Sequence, residues 1–236
     1  MASNRKAFLT AAWRNLILAN YAVSEEVLQP YLPPGVELDR WQGKCYASLV
    51  AFQFLETKVL GIGWPTFKNF PEWNLRFYVR RGEQRGVVFV REWVPQRFVA
   101  WVARTIYNEP YRAALMAMKV DETPDSLSAS YTVTTGGRIH ILAATGSKPV
   151  LLPQADSAEH FFKEHSWGFG KTRKGELLRY EVNHPGWDVY PVRDFRADLD
   201  WGELYGDEWK TMNGREPDSV VLAVGSAVSV YPHGKL

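Results

Sequence analysis

The segment Gly168-Phe169-Gly170-Lys171-Thr172 contains the residue types that bind a nucleotide phosphate at the end of a P-loop. A complete P-loop also requires a glycine five residues before Gly170, and His165 occupies that position. Residues 161–166 have a helical pattern, whereas an apolar strand leads into a true P-loop. The sequence therefore argues against a nucleotide site, and we predict no cofactor.

His160, Glu164 and His165 combine side-chain types that can bind a metal ion or move a proton. His160 and Glu164 are four residues apart on a predicted helix, whereas His165 points about 100° away from Glu164. This spacing fits no zinc-protease pattern, so we predict no metal site. Two interpretations of His165 stay open: it is an acid or base in a pocket, or its hydrogen bonds fix a loop.

Composition and charge limit the partners and the compartment. The single cysteine, Cys45, excludes an internal disulfide and a Cys-rich metal site, and its apolar surroundings predict a buried side chain. The chain has 28 Lys and Arg and 26 Asp and Glu, so its net charge is +2. This charge is too small to indicate a nucleic-acid-binding protein. Because neither a membrane helix nor a signal peptide can be recognised, we expect a cytoplasmic protein without nucleic-acid or membrane partners.

Strand patterns dominate the chain, and aromatic residues, at 14% of the sequence, provide a large core for them. Gly136-Gly137 suits a hairpin turn that needs positive φ at both positions, and Gly225 predicts a bulge. The segments in which apolar, aromatic and β-branched residues alternate or run together are residues 45–55, 74–80, 87–94, 129–135, 138–145, 177–183 and 219–231.

Helices are predicted to be few and short. Ser24 and Ser157 have the side chain of an N-cap residue, and Pro33-Pro34 ends the first helix. Because no repeat or flexible linker divides the chain, we predict one α+β domain over residues 1–236, dominated by antiparallel strands. The predicted helices are residues 25–32, 98–106, 156–165 and 199–212.

Three stretches of the sequence form one combined pattern. They are residues 13–16 with 28–39, residues 72–80 with 86–89, and residues 107–112 with 164–168 and 184–187. This pattern resembles the YqjF-like family of conserved proteins over a core of about residues 13–231. That family in turn looks like a branch of the acetoacetate decarboxylase superfamily. The resemblance implies a cone or partly closed barrel of antiparallel strands around an apolar pocket, and a homo-oligomer.

Residues 104–112 fit, without gaps, a decarboxylase segment of the form R-E-I-W-G-F-P-K-K, in which the first of the paired lysines forms a Schiff base. Tyr111 then occupies the position of the nucleophilic lysine, and Arg112 that of its cationic neighbour. Glu72 matches a catalytic carboxylate, while Ala22 stands in place of a substrate-binding arginine. Because a phenol forms no imine, we predict that the protein is not an acetoacetate decarboxylase. Lys119 is the nearest lysine downstream.

The resemblance brings Glu72, Glu109, Tyr111 and Arg112 to one cavity. In one interpretation Glu72, Tyr111 and Arg112 are catalytic, with a buried glutamate as base and the phenol as donor. In the other, Arg112 and Glu72 form a structural ion pair and Tyr111 packs in the core. The residues that we predict to bind a ligand are Arg14, Arg76, Tyr107, Glu109, His165 and Trp167.

Two functions follow from this pocket. In the first, the protein binds a small, partly apolar, anionic organic molecule among aromatic side chains. In the second, it is an enzyme that acts on a carbonyl or ester substrate by Glu/Tyr acid–base chemistry without an imine. A weaker alternative is a subunit-interaction protein whose aromatic surface faces outward. The sequence does not decide whether a reaction is catalysed.

Overall fold

The computed structural model describes residues 6–106 and 108–231. Its strands are β1 (Leu9–Val23), β2 (Glu37–Leu38), β3 (Cys45–Val59), β4 (Phe70–Arg81), β5 (Gln84–Val94), β6 (Tyr111–Ala113), β7 (Leu115–Glu122), β8 (Ser126–Thr135), β9 (Arg138–Ser147), β10 (Trp167–Lys171), β11 (Leu177–Asn183), β12 (Val189–Tyr190), β13 (Val192–Asp198), β14 (Ser219–Ala223) and β15 (Ala227–Tyr231). Its α-helices are α1 (Glu25–Leu28), α2 (Arg97–Ile106), α3 (Ala158–Lys163) and α4 (Trp201–Tyr205).

Seven strands close into a barrel in the order β1-β3-β4-β5-β10-β11-β15, and β15 pairs back onto β1. Neighbouring strands run antiparallel except β5 and β10, which are parallel. The prediction of a β-dominated α+β fold with a barrel is confirmed, and the barrel is closed rather than partly closed. Closure removes the exposed strand edges and leaves an enclosed interior.

A second sheet, in the order β13-β9-β8-β7, packs against the outside of the barrel. On β3, Leu49 and Ala51 face this sheet, whereas Val50 and Phe52 face the barrel interior. Both faces of the strand are therefore buried, which explains its long uninterrupted apolar sequence.

The strand predicted over residues 219–231 is two strands. β14 pairs with residues 16–20 of β1, and β15 pairs with residues 9–12 of the same strand. Between them Gly225 has a φ of 85°, and a Cβ on it would lie 2.1 Å from the Trp13 carbonyl oxygen. A glycine is required here because φ is positive and the backbone passes directly against the Trp13 carbonyl group. The register with β1 is the same before and after Gly225, so the predicted bulge is not formed in this pairing.

The helices are short, as predicted. The helix expected at residues 25–32 is α1 followed by a 3₁₀ turn at Gln29–Tyr31, and the one expected at residues 199–212 is α4 followed by Asp207–Met212. Ser157 caps α3 by accepting a hydrogen bond from the His160 amide at 3.1 Å. Within the described ranges, no helix has both the length and the apolar character needed to cross a membrane.

Candidate functional site

The barrel interior is a cavity of about 680 Å³, and each of the seven barrel strands supplies side chains to its wall. Most of the wall is aromatic or aliphatic, so charged groups inside it are poorly solvated. Trp167, a predicted ligand-binding residue, lies on this wall, and the Arg179 guanidinium is 5.5 Å from its ring centre. The aromatic lining residues include Trp13, Phe52, Phe54, Phe89, Trp167 and Trp187.

Glu72, Asn74 and Arg76 form a polar row across this apolar wall. They are alternate residues of β4, so their side chains point to the same face of the strand. The Asn74 amide Nδ2 donates a hydrogen bond of 2.9 Å to Glu72 Oε1. One strand therefore presents a carboxyl group, an amide and a guanidinium to the cavity in that order.

Tyr111 brings a phenol to the acidic end of this row. β6 runs parallel to β5 and places Tyr111 opposite Glu92. The Tyr111 hydroxyl donates to Glu72 Oε2 at 2.8 Å, and burial together with the charges of Glu72 and Glu92 raises the pKa of Tyr111. Two buried carboxyl groups therefore lie beside one phenol.

Burial shifts the protonation of these groups strongly. It raises the pKa of Glu72 to about 7, although the hydrogen bonds from Asn74 and Tyr111 and the charge of Arg76 act in the opposite direction. Burial, together with the charges of Glu109 and Glu72, raises the pKa of Glu92 well above its ordinary 4.5. Glu92, Tyr111 and Glu72 thus place three groups that can carry a proton side by side, with one hydrogen bond, from Tyr111 to Glu72, among them.

Glu109 and Tyr180 form a second carboxyl–phenol pair on the same wall. Burial raises the pKa of Glu109 to about 8, against a hydrogen bond with Tyr180 that lowers it. The Tyr180 ring crosses β10 above Gly168, where a Cβ would lie 2.1 Å from the ring. Gly168 of the P-loop-like segment therefore makes room for the Tyr180 phenol. Residues 168–171 of that segment lie in strand β10.

The opposite end of the polar row is cationic. Arg76 donates from Nη2 to the Phe162 carbonyl oxygen at 3.3 Å. Its Nε is buried and has no hydrogen-bond partner among the described residues. Lys163, with 4% of its surface exposed, also lines the cavity and pairs with Glu164 at 2.5 Å.

His165 lines the cavity beside this cationic end. Its Nε2 lies 3.2 Å from Asp39 Oδ2, and Asp39 also accepts a 2.7 Å hydrogen bond from Arg85 Nε. Burial lowers the pKa of His165 to about 4, so the ring is neutral near neutral pH. The hydrogen bond to Asp39 anchors the segment after α3 on the barrel, and this agrees with the loop-fixing interpretation.

The cavity brings together six predicted site residues: Glu72, Arg76, Glu109, Tyr111, His165 and Trp167. Arg14 is not among its lining residues, because alternation on β1 turns Trp13 inward and the Arg14 guanidinium donates to the Trp13 carbonyl oxygen. Tyr107 lies outside the described residues.

Arg112 does not approach Glu72. Its side chain is exposed on the face of β6 opposite Tyr111 and lines a separate surface groove. Successive residues of a strand point in opposite directions, so Tyr111 and Arg112 cannot both face the barrel interior. The structure therefore shows no Arg112–Glu72 ion pair within the described chain. Lys119 is likewise exposed, on β7.

Sequence reasoning missed three polar residues of the cavity: Glu92, Lys163 and Tyr180. Lys163 directly follows Phe161-Phe162, whose rings pack into a buried cluster with Tyr78. Two adjacent aromatic residues indicate a buried segment of chain, and this was the available signal that Lys163 lies in the interior. The predicted buried side chain of Cys45 is confirmed.

Known proteins share the sequence pattern and the fold. The model of the family DUF2071, described as "Uncharacterized conserved protein", matches residues 10–227. The uncharacterized protein YqjF of Bacillus subtilis (strain 168) is 24% identical over 180 residues, which are 74% of this chain and 72% of that protein. The expected resemblance to YqjF-like proteins is confirmed.

The fold of nearly the whole chain also occurs in solved structures. An acetoacetate decarboxylase-like enzyme from Sphingomonas wittichii RW1 matches with a TM-score of 0.67 at 13% identity, over 98% of this chain and 94% of that one. The acetoacetate decarboxylase of Legionella pneumophila matches with a TM-score of 0.62 at 14% identity, over 99% and 88%. At these identities the likeness shows the fold.

Proposed function

The chain belongs to the DUF2071 family, and we propose that it binds a small organic acid with an apolar body in the barrel cavity. The observation that carries this proposal is the buried Nε of Arg76, which has no hydrogen-bond partner among the described residues. A buried donor without a partner is unfavourable, and a guanidinium pairs best with a carboxylate. The ligand's carboxylate therefore lies at Arg76, with Lys163 close to the same end of the cavity.

The acidic end of the cavity selects a second polar group on the ligand. Asn74 Oδ1, Glu92 Oε2 and Glu109 Oε1 are buried and have no hydrogen-bond partner within the described chain. A carbonyl or hydroxyl group placed there meets protonated carboxyl groups and the Tyr111 hydroxyl. The volume of about 680 Å³ lies within the range of small-molecule sites, and the aromatic wall covers an apolar body.

Binding can be tested by a thermal-shift screen with small keto acids, aromatic acids and fatty acids, followed by titration calorimetry of the hits. Arg76→Gln removes the buried cation and should weaken a hit roughly tenfold or more, because charge-assisted hydrogen bonds are lost. Arg173→Gln, which removes an exposed arginine in the turn after β10, is the matched control and should bind normally. Equal affinity for the wild type and Arg76→Gln would refute the proposed carboxylate site.

A second candidate function, acid–base catalysis on a carbonyl ligand, is favoured by the Glu72–Tyr111 hydrogen bond of 2.8 Å. A carboxyl group with a pKa of about 7 can take a proton from the carbon beside a carbonyl at neutral pH. Burial raises the pKa of Tyr111 well above 10, so its hydroxyl stays protonated and, by turning from Glu72 to the ligand, can donate to the developing enolate oxygen. The proton removed from carbon passes to Glu72.

This reaction predicts exchange of the α-protons of a bound keto acid with deuterium in D₂O, which NMR can follow. Glu72→Gln should abolish the exchange, whereas Tyr111→Phe should slow it roughly a hundredfold or more because one oxyanion donor is lost. Both variants should still bind the acid through Arg76. If a keto acid binds and its exchange is as fast with Glu72→Gln as with the wild type, the protein is a binding protein without this activity.

A further inference from the structure

A surface groove beside the barrel carries three arginines. It is lined by Arg97, Phe98, Ala100, Trp101, Arg104, Arg112 and Ala113, and we call it the arginine groove. On α2, Trp101 and Arg104 follow Arg97 by four and seven residues, so the three side chains lie on one face of the helix. Arg112 approaches from β6, which runs alongside. Two elements thus direct guanidinium groups to one place.

Among the described residues, no acidic side chain compensates the charge of this groove. None of its lining residues is acidic, and none of the three arginines forms an ion pair with another described residue. All three side chains are exposed, in a chain whose net charge is only +2. A concentration of positive charge without counter-charges attracts anions.

The floor and the side of the groove favour a ligand with more than one anionic group. Ala100 and Ala113 are small, so space remains between the arginines. Seven residues place the Cα atoms of Arg97 and Arg104 about 10 Å apart along the helix axis, so their long side chains can converge on a compact diphosphate or extend along a longer polyanion. Trp101, 55% exposed, stacks on Phe98 and offers an apolar face beside the charges.

We propose that the arginine groove is a binding site for a phosphate-bearing molecule. Guanidinium groups bind phosphate oxygens in bidentate fashion, and three of them match the charge of a di- or polyanion better than that of a single carboxylate. The site is separate from the barrel cavity, but Phe98 lines both. The phosphate belongs to a soluble molecule or to a lipid headgroup, and the exposed Trp101 serves either.

Titration of the full chain with inorganic pyrophosphate at low ionic strength tests the soluble source. We expect saturable binding that weakens with salt and falls roughly tenfold or more in Arg97→Gln/Arg104→Gln and in Arg112→Gln. The matched control, Arg173→Gln/Arg193→Gln, removes two exposed arginines elsewhere and should bind within about twofold of the wild type.

Sedimentation with phosphatidylcholine vesicles, with and without phosphatidylglycerol, tests the lipid source. Binding of pyrophosphate or of the anionic vesicles supports the proposal, provided that the groove variants lose it and the control variant keeps it. No saturable binding in either assay, or an equal loss in the groove and control variants, overturns it. Titration with acetate in place of pyrophosphate distinguishes phosphate from carboxylate recognition, and we expect acetate to bind more weakly. Unchanged thermal unfolding of the variants excludes loss of the fold.

Discussion

Replacing Glu109 by glutamine should make the protein less sensitive to alkaline pH. Glu109 is 6% exposed, lies on the apolar wall of the barrel and shares it with two other carboxyl groups. The pKa of Glu109 is about 8 in the folded chain, whereas the ordinary pKa of a glutamate, which applies to the unfolded chain, is 4.5. The folded state therefore holds a proton that the unfolded state releases between these two pH values, and stability falls as the pH rises.

The sign and size of the effect follow from proton linkage. The protonated carboxyl group makes its full contribution to the free energy of unfolding below about pH 4.5. This contribution is lost as the pH rises through about 8. The full loss, at about 1.36 kcal/mol per pH unit, is about 5 kcal/mol, and about 4 kcal/mol of it falls between pH 5 and pH 9. Glutamine cannot ionise and can still accept a hydrogen bond from Tyr180, so Glu109→Gln removes this part of the pH dependence.

Urea unfolding of the wild type and Glu109→Gln, followed by tryptophan fluorescence at several pH values, measures the difference. The free energy of unfolding of the variant relative to the wild type should increase by about 4 kcal/mol from about pH 5 to about pH 9. Glu83→Gln, in the exposed turn between β4 and β5, is the matched control and should show no such trend. A relative stability of Glu109→Gln that stays constant within about 1 kcal/mol would refute the buried, protonated carboxyl group.

Two further predictions concern the phenols of the cavity. Tyr111→Phe removes a hydrogen bond that lowers the pKa of Glu72. Infrared titration of the Glu72 carboxyl band should therefore show a pKa about one unit or more above that in the wild type. An unchanged pKa of Glu72 would contradict the contact with Tyr111. Gly168→Ala should reduce the free energy of unfolding by roughly 1–3 kcal/mol through the clash with Tyr180. Gly170→Ala, whose Cβ would have its nearest neighbour at 3.6 Å, should change it little in the same urea assay, and equal effects would count against the clash.

The sequence predicted β3, β4, β5, β8, β9, β11, β14 and β15 but missed β7, β10 and β13, the short strands β2, β6 and β12, and β1, which is the longest of the missed strands. This strand contains Arg14, Asn15 and Asn20 among alanines and leucines, and it lacks a period of two. It is a central strand that pairs with β3 on one edge and with β14 and β15 on the other. Residues 16–21 are all buried, so both faces of this part of the strand are covered. A strand of this kind has no need to alternate apolar and polar residues.

Glu92 shows why part of the site could not be predicted. Val87 and Phe89 face the cavity, and strict alternation would turn Arg91 inward. The pairing with β4 instead skips Val90, since Leu75 is opposite Arg91 and Arg76 is opposite Phe89. This bulge shifts the alternation by one residue and turns Glu92 into the barrel. The position of a bulge depends on the neighbouring strand, so the sequence of β5 alone does not reveal it.

The resemblance placed Tyr111 correctly on the cavity wall but misplaced Arg112. The paired-lysine motif implies that both Tyr111 and Arg112 face the cavity. A strand, however, can direct only one of two neighbouring side chains inward. In this chain the phenol faces Glu72, and the guanidinium faces the arginine groove. The buried amine of the cavity is Lys163, which comes from α3 and is paired with Glu164. The two cations of this cavity, Arg76 on β4 and Lys163 on α3, therefore lie at other positions of the chain than the paired-lysine motif.

Three buried carboxyl groups in one apolar cavity argue for a function beyond packing. Glu92 has no ion-pair partner among the described residues, and burial raises the pKa of all three groups at the expense of stability near neutral pH. Apolar residues of similar volume would make the same barrel more stable. The fold alone does not require groups that weaken it, whereas the proposed site, which holds a proton next to a bound acid, does.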